Sequence, residues 1–320
     1  MLFKGFDFFP YGRRWDIIGK RLLLVGVSVA LIVLSTVLLA TQGLNYGVDF
    51  KGGTLIEVQS ASGTLDIGPL RVKLNQLGLG DVQVQGVGQG NEALIRIGQQ
   101  PDEKAQIEAG AKVKTALGEG MNIRRTEVVG PTVSAELKWT GIQAVAFALF
   151  GILVYVWFRF EWQFAVAGIA ALFHDVFVTT GMFALLWYEF DLGTVAALLT
   201  LAGYSINDTV VIFDRIRENL RKYKRMSLEE LLNLSINETL SRTIMTSSVT
   251  AVSVLALWIF GTEAIHGFAF AMLFGIVIGT YSSVFVAAPL LLWLGVKREG
   301  WSGASDAAAA TVRTGAAKNH

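Results

Sequence analysis

Cysteine is absent from the 320 residues, which removes disulfides, iron–sulfur clusters and thiolate metal sites and leaves the redox compartment unread. Histidine is nearly as scarce. His174, His266 and His320 lie far apart and none has HExxH-type spacing, so no histidine-held metal is expected. Only 17% of residues are charged and the net charge is +1, so neither nucleic acid nor another polyanion is an expected partner. What is abundant is apolar: 52% of residues are hydrophobic and mean hydropathy is +0.50, more apolar surface than a soluble fold of this size hides. The lipid bilayer is the expected solvent.

A spanning helix needs roughly 20 apolar residues. Six stretches qualify, at 22–41, 139–158, 163–188, 192–213, 243–260 and 267–293. Lys4, Arg13, Arg14, Lys20 and Arg21 precede the first, and Arg159 follows the second. Arg215, Arg217, Arg221, Lys222, Lys224 and Arg225 follow the fourth; Lys297 and Arg298 follow the sixth. All four basic groups fall on one side, which the positive-inside rule makes cytoplasmic, so both termini are expected there. The first apolar stretch is too long for a signal-peptide core and follows a long polar segment, so it reads as an uncleaved anchor. The chain then divides into a cytoplasmic segment (1–21), a first span (22–41), an extracytoplasmic domain (42–138) and spans two to four (139–213). A cytoplasmic amphipathic loop (214–242), spans five and six (243–293) and a small polar tail (294–320), expected to be disordered, complete it.

Within the extracytoplasmic domain, TLIEVQS (54–60), VQVQGV (82–87), EALIRIG (92–98) and NIRRTEVV (122–129) read as strands. Helical periodicity fills 67–78, with Leu70, Leu74 and Leu77 on one face, and 102–117, opened by PDEK and closed near Gly118. The order strand, helix, strand, strand, helix, strand is the ferredoxin-like split βαβ pattern. The fold class is therefore a multi-pass α-helical membrane protein with six transmembrane helices and one small α+β ferredoxin-like domain. In the loop 214–242, Ser227 and Glu230 form a capping-box pattern, and Leu228, Leu231, Leu232 and Ile236 give one apolar stripe. That stripe predicts a helix along the membrane surface, with a solvated connector as the alternative.

Several polar residues fall inside the spans. A carboxylate at mid-bilayer costs about 2.5–3.5 kcal/mol on insertion scales, so Asp208 in GYSINDTVVIF is a functional candidate. At 1.5 Å per residue it lies roughly 24 Å from the outer end of span four, toward the cytoplasmic side. Span five offers a polar face of Arg242, Thr246 and Thr250 at steps of four, and Arg242 enters from the side toward which Asp208 is displaced. An Asp208–Arg242 pair is expected, with Asn207 and Thr209 as groups that could orient the carboxylate. Hydration at the interface and a snorkelling arginine are the structural alternatives. His174 and Asp175 lie near mid-bilayer in span three, where a structural hydrogen bond and a proton-carrying role both stay open. Gly275 and Gly279 in span six form a GxxxG whose simplest meaning is close packing. Burial and a nearby cation act in opposite senses on a carboxylate's proton affinity, and their balance can allow proton exchange near ambient pH. Protons are thus the expected coupling ion, with no other cofactor; sodium is the alternative.

GVDFKGG (47–53) after the first span, VGPTVSAEL (129–137) before the second, HDV (174–176) and SINDTVVIFDRIREN (205–219) together resemble the SecF family of protein-export membrane subunits. The similarity covers nearly everything before residue 300. The related SecD proteins typically have GLDLxGG, a larger soluble region and DAN where this chain has Asn207, Asp208 and Thr209. The resemblance implies a bacterial inner-membrane location and membership of the resistance–nodulation–division superfamily, with this chain as one six-span half. It also implies a SecD-like six-span partner, the SecYEG channel and the translocating preprotein as further partners, and proton transport through Asp208 and Arg242, with Thr246 close by. Gly47, Asp49, Gly52 and Gly53 carry the glycine motif. Proton flow in such a complex moves soluble domains that pull or retain the preprotein on the outer face.

Three rivals remain to weigh. An intramembrane aspartyl protease would use Asp175 and Asp208, but neither stands in a YD or GxGD context, and an arginine partner would hold a carboxylate ionised. A half-subunit of a proton-driven lipid or drug exporter is opposed by the small single soluble domain and GVDFKGG. A non-catalytic translocon scaffold differs only in what Asp208 does.

Overall fold

The computed structural model describes residues 15–61, 63–87, 90–118 and 120–296. Lys4, Arg13, Arg14, Lys297, Arg298 and the polar tail from residue 297 lie outside the described residues. A 3₁₀ turn at Ile18–Lys20 leads into helix α1, Arg21–Thr41. There follow strand β1 (Asn45–Tyr46), one-turn helix α2 (Val48–Lys51), strand β2 (Gly53–Ser60), helix α3 (Ile67–Asn75), strands β3 (Val82–Val87) and β4 (Glu92–Ile97), helix α4 (Glu103–Leu117) and strand β5 (Met121–Val129). Then come α5 (Pro131–Arg159), α6 (Trp162–Leu186), the short strand β6 (Glu189–Phe190), α7 (Leu192–Lys222), α8 (Leu228–Phe260) and α9 (Glu263–Ser282). α9 passes through a π-turn at Ser283–Ala287 into α10, Ala288–Trp293.

Among the described residues six helices are long and apolar enough to cross a membrane, α9 and α10 counting as one. They form an inner and an outer set. In α6, α7 and α9–α10, 50%, 50% and 61% of the most apolar window is buried inside the chain, against 11% in α1, α5 and α8. The outer helices expose Val27, Val33, Phe147, Phe150, Val249 and Val252. Apolar area left in water costs about 25 cal/mol per Å², so lipid or another apolar protein surface must cover these faces.

α7 has 31 residues and α8 has 33. At 1.5 Å per residue they measure about 46 and 50 Å, well beyond a hydrocarbon core of about 30 Å. The stretch 214–242, expected as a loop with a separate surface helix, is instead a helical hairpin continuous with both spans and turning at residues 223–227. The capping box is present: Glu230 N donates to Ser227 Oγ and Ser227 N to Glu230 Oε2, both at 3.2 Å. Leu231, Leu232 and Ile236 are fully buried, in one cluster with Ile216, Leu220, Ile17 and Ile18. Arg215 pairs with Glu238 at 2.7 Å, and the Asn219 amide donates to Ser235 at 3.0 Å and Glu238 at 2.8 Å, crosslinking the two arms. An apolar stripe has the same period whether protein or lipid covers it; here α7 and the chain before α1 cover it.

The soluble domain has the element order read from its sequence. Its sheet runs β3-β4-β2-β5 with every neighbouring pair antiparallel, so the first strand, β2, lies inside. α3 and α4 cover one face over Ile56, Val58, Leu74, Ile95 and Val113. Asp102 caps α4 by accepting from Ala105 N at 2.7 Å, and Gly118, with φ +74°, ends it. Alternation along the strands sends Leu55, Glu57, Leu94 and Arg96 to the other face. That face looks across a cavity of about 500 Å³ at one end of the helix bundle, lined there by Leu186, Trp187, Glu263 and His266.

Candidate functional site

Asp208 is 4% exposed, on the side of α7 that meets α8 and α9. A buried carboxylate is tolerated only with hydrogen-bond partners. Here Ser247 Oγ on α8 donates to Asp208 Oδ2 at 3.2 Å, and Ser247 Oγ lies 2.7 Å from Thr280 Oγ1 on α9. Thr280 also reaches Ile276 O at 2.8 Å. Each hydroxyl carries one proton, so the string has two polarisations. With Asp208 ionised, Thr280 donates to Ser247 and Ser247 to the carboxylate. With Asp208 protonated, the carboxyl donates to Ser247, Ser247 to Thr280, and Thr280 to its own helix. The string therefore accommodates both charge states of the acid by rotating hydroxyls alone.

The expected partners of Asp208 are arranged differently. Arg242 lies near enough to act electrostatically on the carboxylate, yet among the described residues no ion pair joins them, and Arg242 is exposed. Arg242 precedes Ser247 by more than one helical turn, so the hydroxyl, not the guanidinium, is level with the acid. Thr246 also lies beside the carboxylate, but its hydroxyl reaches the backbone of its own helix, at Arg242 O (3.1 Å) and Thr243 O (2.9 Å). Asn207 is exposed and, among the described residues, makes no hydrogen bond to the Asp208 side chain, and Thr209 bonds Ser205 O (3.3 Å) and Ser283 Oγ (2.8 Å). Neither orients Asp208 directly. Arg242, Thr246 and Ser253 instead form an exposed polar line on α8, beside exposed apolar residues such as Met245, Val249 and Val252.

A second acid, Asp175, is fully buried where α6, α7 and α9 meet. Ser205 Oγ donates to its Oδ2 at 2.5 Å, Ser282 Oγ donates to the same oxygen at 2.7 Å, and His174 Nδ1 lies 3.0 Å from Oδ1. With a proton on Nδ1 the imidazole donates to its neighbour, while its buried Nε2 has no hydrogen-bond partner among the described residues. Adjacent residues on one helix thus meet through the imidazole's reach, although their Cβ directions diverge. Gly279 makes the junction possible: a Cβ there would stand 3.1 Å from Ser205 Cβ and 3.5 Å from Asp175 Oδ2. Sequence reasoning missed Ser205, Thr280, Ser282 and Ser283. For Ser282 and Ser283 the signal was a run of small residues, with Gly275 and Gly279, recurring on one face of the sixth span; Ser205 and Thr280 had no such mark. The π-turn beginning at Ser283 lies beside this polar junction, where such insertions are common.

The glycine motif lies away from both acids, where the sheet domain is mounted on the bundle. Gly47 N donates to Phe190 O at 2.9 Å, and a Cβ on Gly47 would stand 2.7 Å from Glu189 Oε1. Asp49 Oδ2 accepts from Leu192 N at 2.9 Å. Gly52 and Gly53 have φ of +72° and +134°, and a Cβ on Gly53 would stand 2.5 Å from Ile97 O, so this chain reversal requires glycine. The motif is a structural joint between α2 and β2.

Residues 109–297 match the family described as "Protein export membrane protein SecD/SecF, C-terminal", and residues 37–63 match the "SecD/SecF GG Motif". The chain is 49% identical over 288 residues to "Protein translocase subunit SecF" of Cereibacter sphaeroides, covering 86% of this chain and 88% of that protein. It is 42% identical over 274 residues to "Protein translocase subunit SecDF" of Brucella abortus, covering 85% of this chain and 36% of that one. The fold superposes on the crystal structure of SecDF, a translocon-associated membrane protein from Thermus thermophilus, with a TM-score of 0.80 and 35% identity. That match takes in 89% of this chain and 39% of the other, so the chain spans well under half of the fused protein.

Proposed function

Because the chain belongs to the SecF family of protein translocase subunits, we propose that it is the six-helix half of a proton-driven complex assisting preprotein translocation on the outer face of the Sec channel. The observation that carries this reading is Asp208: a buried acid at a helix interface, joined to a hydroxyl string that fits both of its charge states. Among the described residues Asp175 is held by side chains from three helices and serves as a brace. Asp208 is held by Ser247, with Thr246 and Arg242 beside it on the exposed side of α8, so it is the group that exchanges protons.

A charge crossing the membrane potential supplies about 2.3 kcal/mol per 100 mV. Neutralising Asp208 removes its attraction to Arg242 and reverses the hydroxyl string linking α7, α8 and α9, so the protonated and ionised forms favour different helix packings. The polar line on α8 is unsuited to lipid, and a SecD-like six-helix partner covers it, as the single-chain SecDF relatives suggest. The basic residues Arg159, Arg215, Arg217, Arg221 and Lys222 gather at the end of the bundle away from the sheet domain, and the positive-inside rule supports an orientation with that end inside and the sheet outside. No chemical step on the preprotein is assigned to this chain; it acts as an accessory subunit.

The test is Asp208→Asn in the assembled complex with its partner and the channel. Gradient-dependent preprotein release should be lost while the gradient-independent part persists. Unchanged release would leave a scaffold role and refute the proton-driven one.

A further inference from the structure

We propose that Asp49, Glu189 and Arg96 couple movement of α7 to the sheet domain, so that proton exchange at Asp208 does work outside the membrane. This rests on the proton-driven reading and names a route from the buried acid to the soluble domain. α7 is unbroken from Leu192 to Lys222, so a shift at Asp208 reaches Leu192, about 24 Å away, through continuous helix.

At that end the first helical N–H groups have no intrahelical partner. Asp191, the helix's own cap, takes Thr194 N at 2.7 Å, while Leu192 N donates to Asp49 Oδ2 at 2.9 Å. The second carboxylate therefore comes from α2, a different segment, and sits where the helix dipole favours negative charge. One residue after α2 the chain enters β2, the inner strand bonded to both β4 and β5. There is little slack between the start of α7 and the centre of the sheet.

A second attachment lies beside the first. Glu189, three residues before α7, forms an ion pair with Arg96 on β4, the strand adjoining β2. The same loop is fixed to the joint by pairing of Asn45–Tyr46 with Glu189–Phe190. Two attachments, one on α2 just before β2 and one on β4, transmit rotation as well as displacement, which a single contact would not. The far edge of the sheet is tied elsewhere, because β5 runs through Gly130 directly into the outer helix α5. Relative motion of α7 and α5 therefore tilts the sheet, and the cavity of about 500 Å³ beneath it leaves room to do so without opening the domain's own core.

The experiment uses the full complex, with partner and channel, in proteoliposomes, and reads proton uptake and gradient-driven preprotein translocation on the same preparation. Asp49→Ala and, separately, Glu189→Gln should leave Asp208-dependent proton uptake in place. Gradient-driven translocation should fall about tenfold, the scale set by losing one charge-assisted hydrogen bond. Exchanging the pair, Arg96→Glu with Glu189→Arg, should restore much of the loss, a rescue that a domain merely held in place would not need. The proposal is overturned if translocation is unchanged in both single variants, or if proton uptake falls in step with it. Should Asp49→Ala fail to assemble, the Glu189→Gln and charge-exchange variants still decide. Failure of the underlying reading shows differently: Asp208→Asn would then leave proton uptake intact, and both ideas fall.

Discussion

Replacing Asp175 by alanine strips Ser205, Ser282 and His174 of a common acceptor at the junction of α6, α7 and α9. In water-soluble proteins an orphaned buried polar group costs about 1–3 kcal/mol, which for three groups suggests ~3–9 kcal/mol. Two considerations lower that figure. Ser282 Oγ already reaches Gly279 O at 3.2 Å and can turn fully to it, leaving Ser205 and His174 as the true orphans. Hydrogen bonds between membrane helices average only ~0.6 kcal/mol and reach ~1.7 kcal/mol, because the dissociated helices find other partners. The expected cost is therefore about 1–3 kcal/mol. It can be read from detergent unfolding of the purified chain by tryptophan fluorescence, for which eight tryptophans are available. In a double-mutant cycle, Asp175→Ala with Ser205→Ala should cost less than the sum of the two single changes. Additive effects, or no loss of stability in Asp175→Ala, would refute the brace. So would loss of proton uptake in a variant of normal stability, since Asp175 would then lie on the proton path.

Three further outcomes follow from the same geometry. Gly279→Val should destabilise by about 1–3 kcal/mol in the same titration, because its Cβ would crowd Ser205 Cβ at 3.1 Å and its two methyl groups would have to enter the same junction; Gly26→Ala, whose Cβ would meet no described atom beyond its own helix within 4 Å, should not destabilise. Ser247→Ala removes the hydroxyl bonded to Asp208, so in the assembled complex it should lower gradient-driven translocation while Asp208→Asn abolishes it, and equal loss in the two would show that the string is indispensable. Ser227→Ala deletes the cap of α8 and should cost about 1 kcal/mol, seen as faster amide exchange confined to the first turn after Leu228; exchange spreading into the span would contradict that localisation.

Much of the architecture was legible because its signals are local. Six apolar runs, the alternation in VQVQGV and EALIRIG, and the Ser227–Glu230 box each depend on neighbours in sequence, and each appears at its place. The site was legible only in part. A span apolar on every side carries no periodic mark of which face meets protein, so nothing local told that Asp208 would bond Ser247 before Arg242 or that Ser205 and Ser282 would converge on Asp175. Adjacency misled at Asn207, which follows the helix round to the exposed side, about 100° from Asp208. The hairpin was misread for a related reason: Leu231, Leu232 and Ile236 advertise an apolar cover but not its identity.

Asp208 stands almost midway along α7, with the sheet's mounting at one end and the α7–α8 hairpin at the other. A rod that rocks about its middle moves its ends in opposite directions. Whatever grips the basic hairpin on one side of the bilayer would thus load the same beam that steers the sheet on the other side, and the two faces of the membrane would feel each other mechanically even when no proton passes.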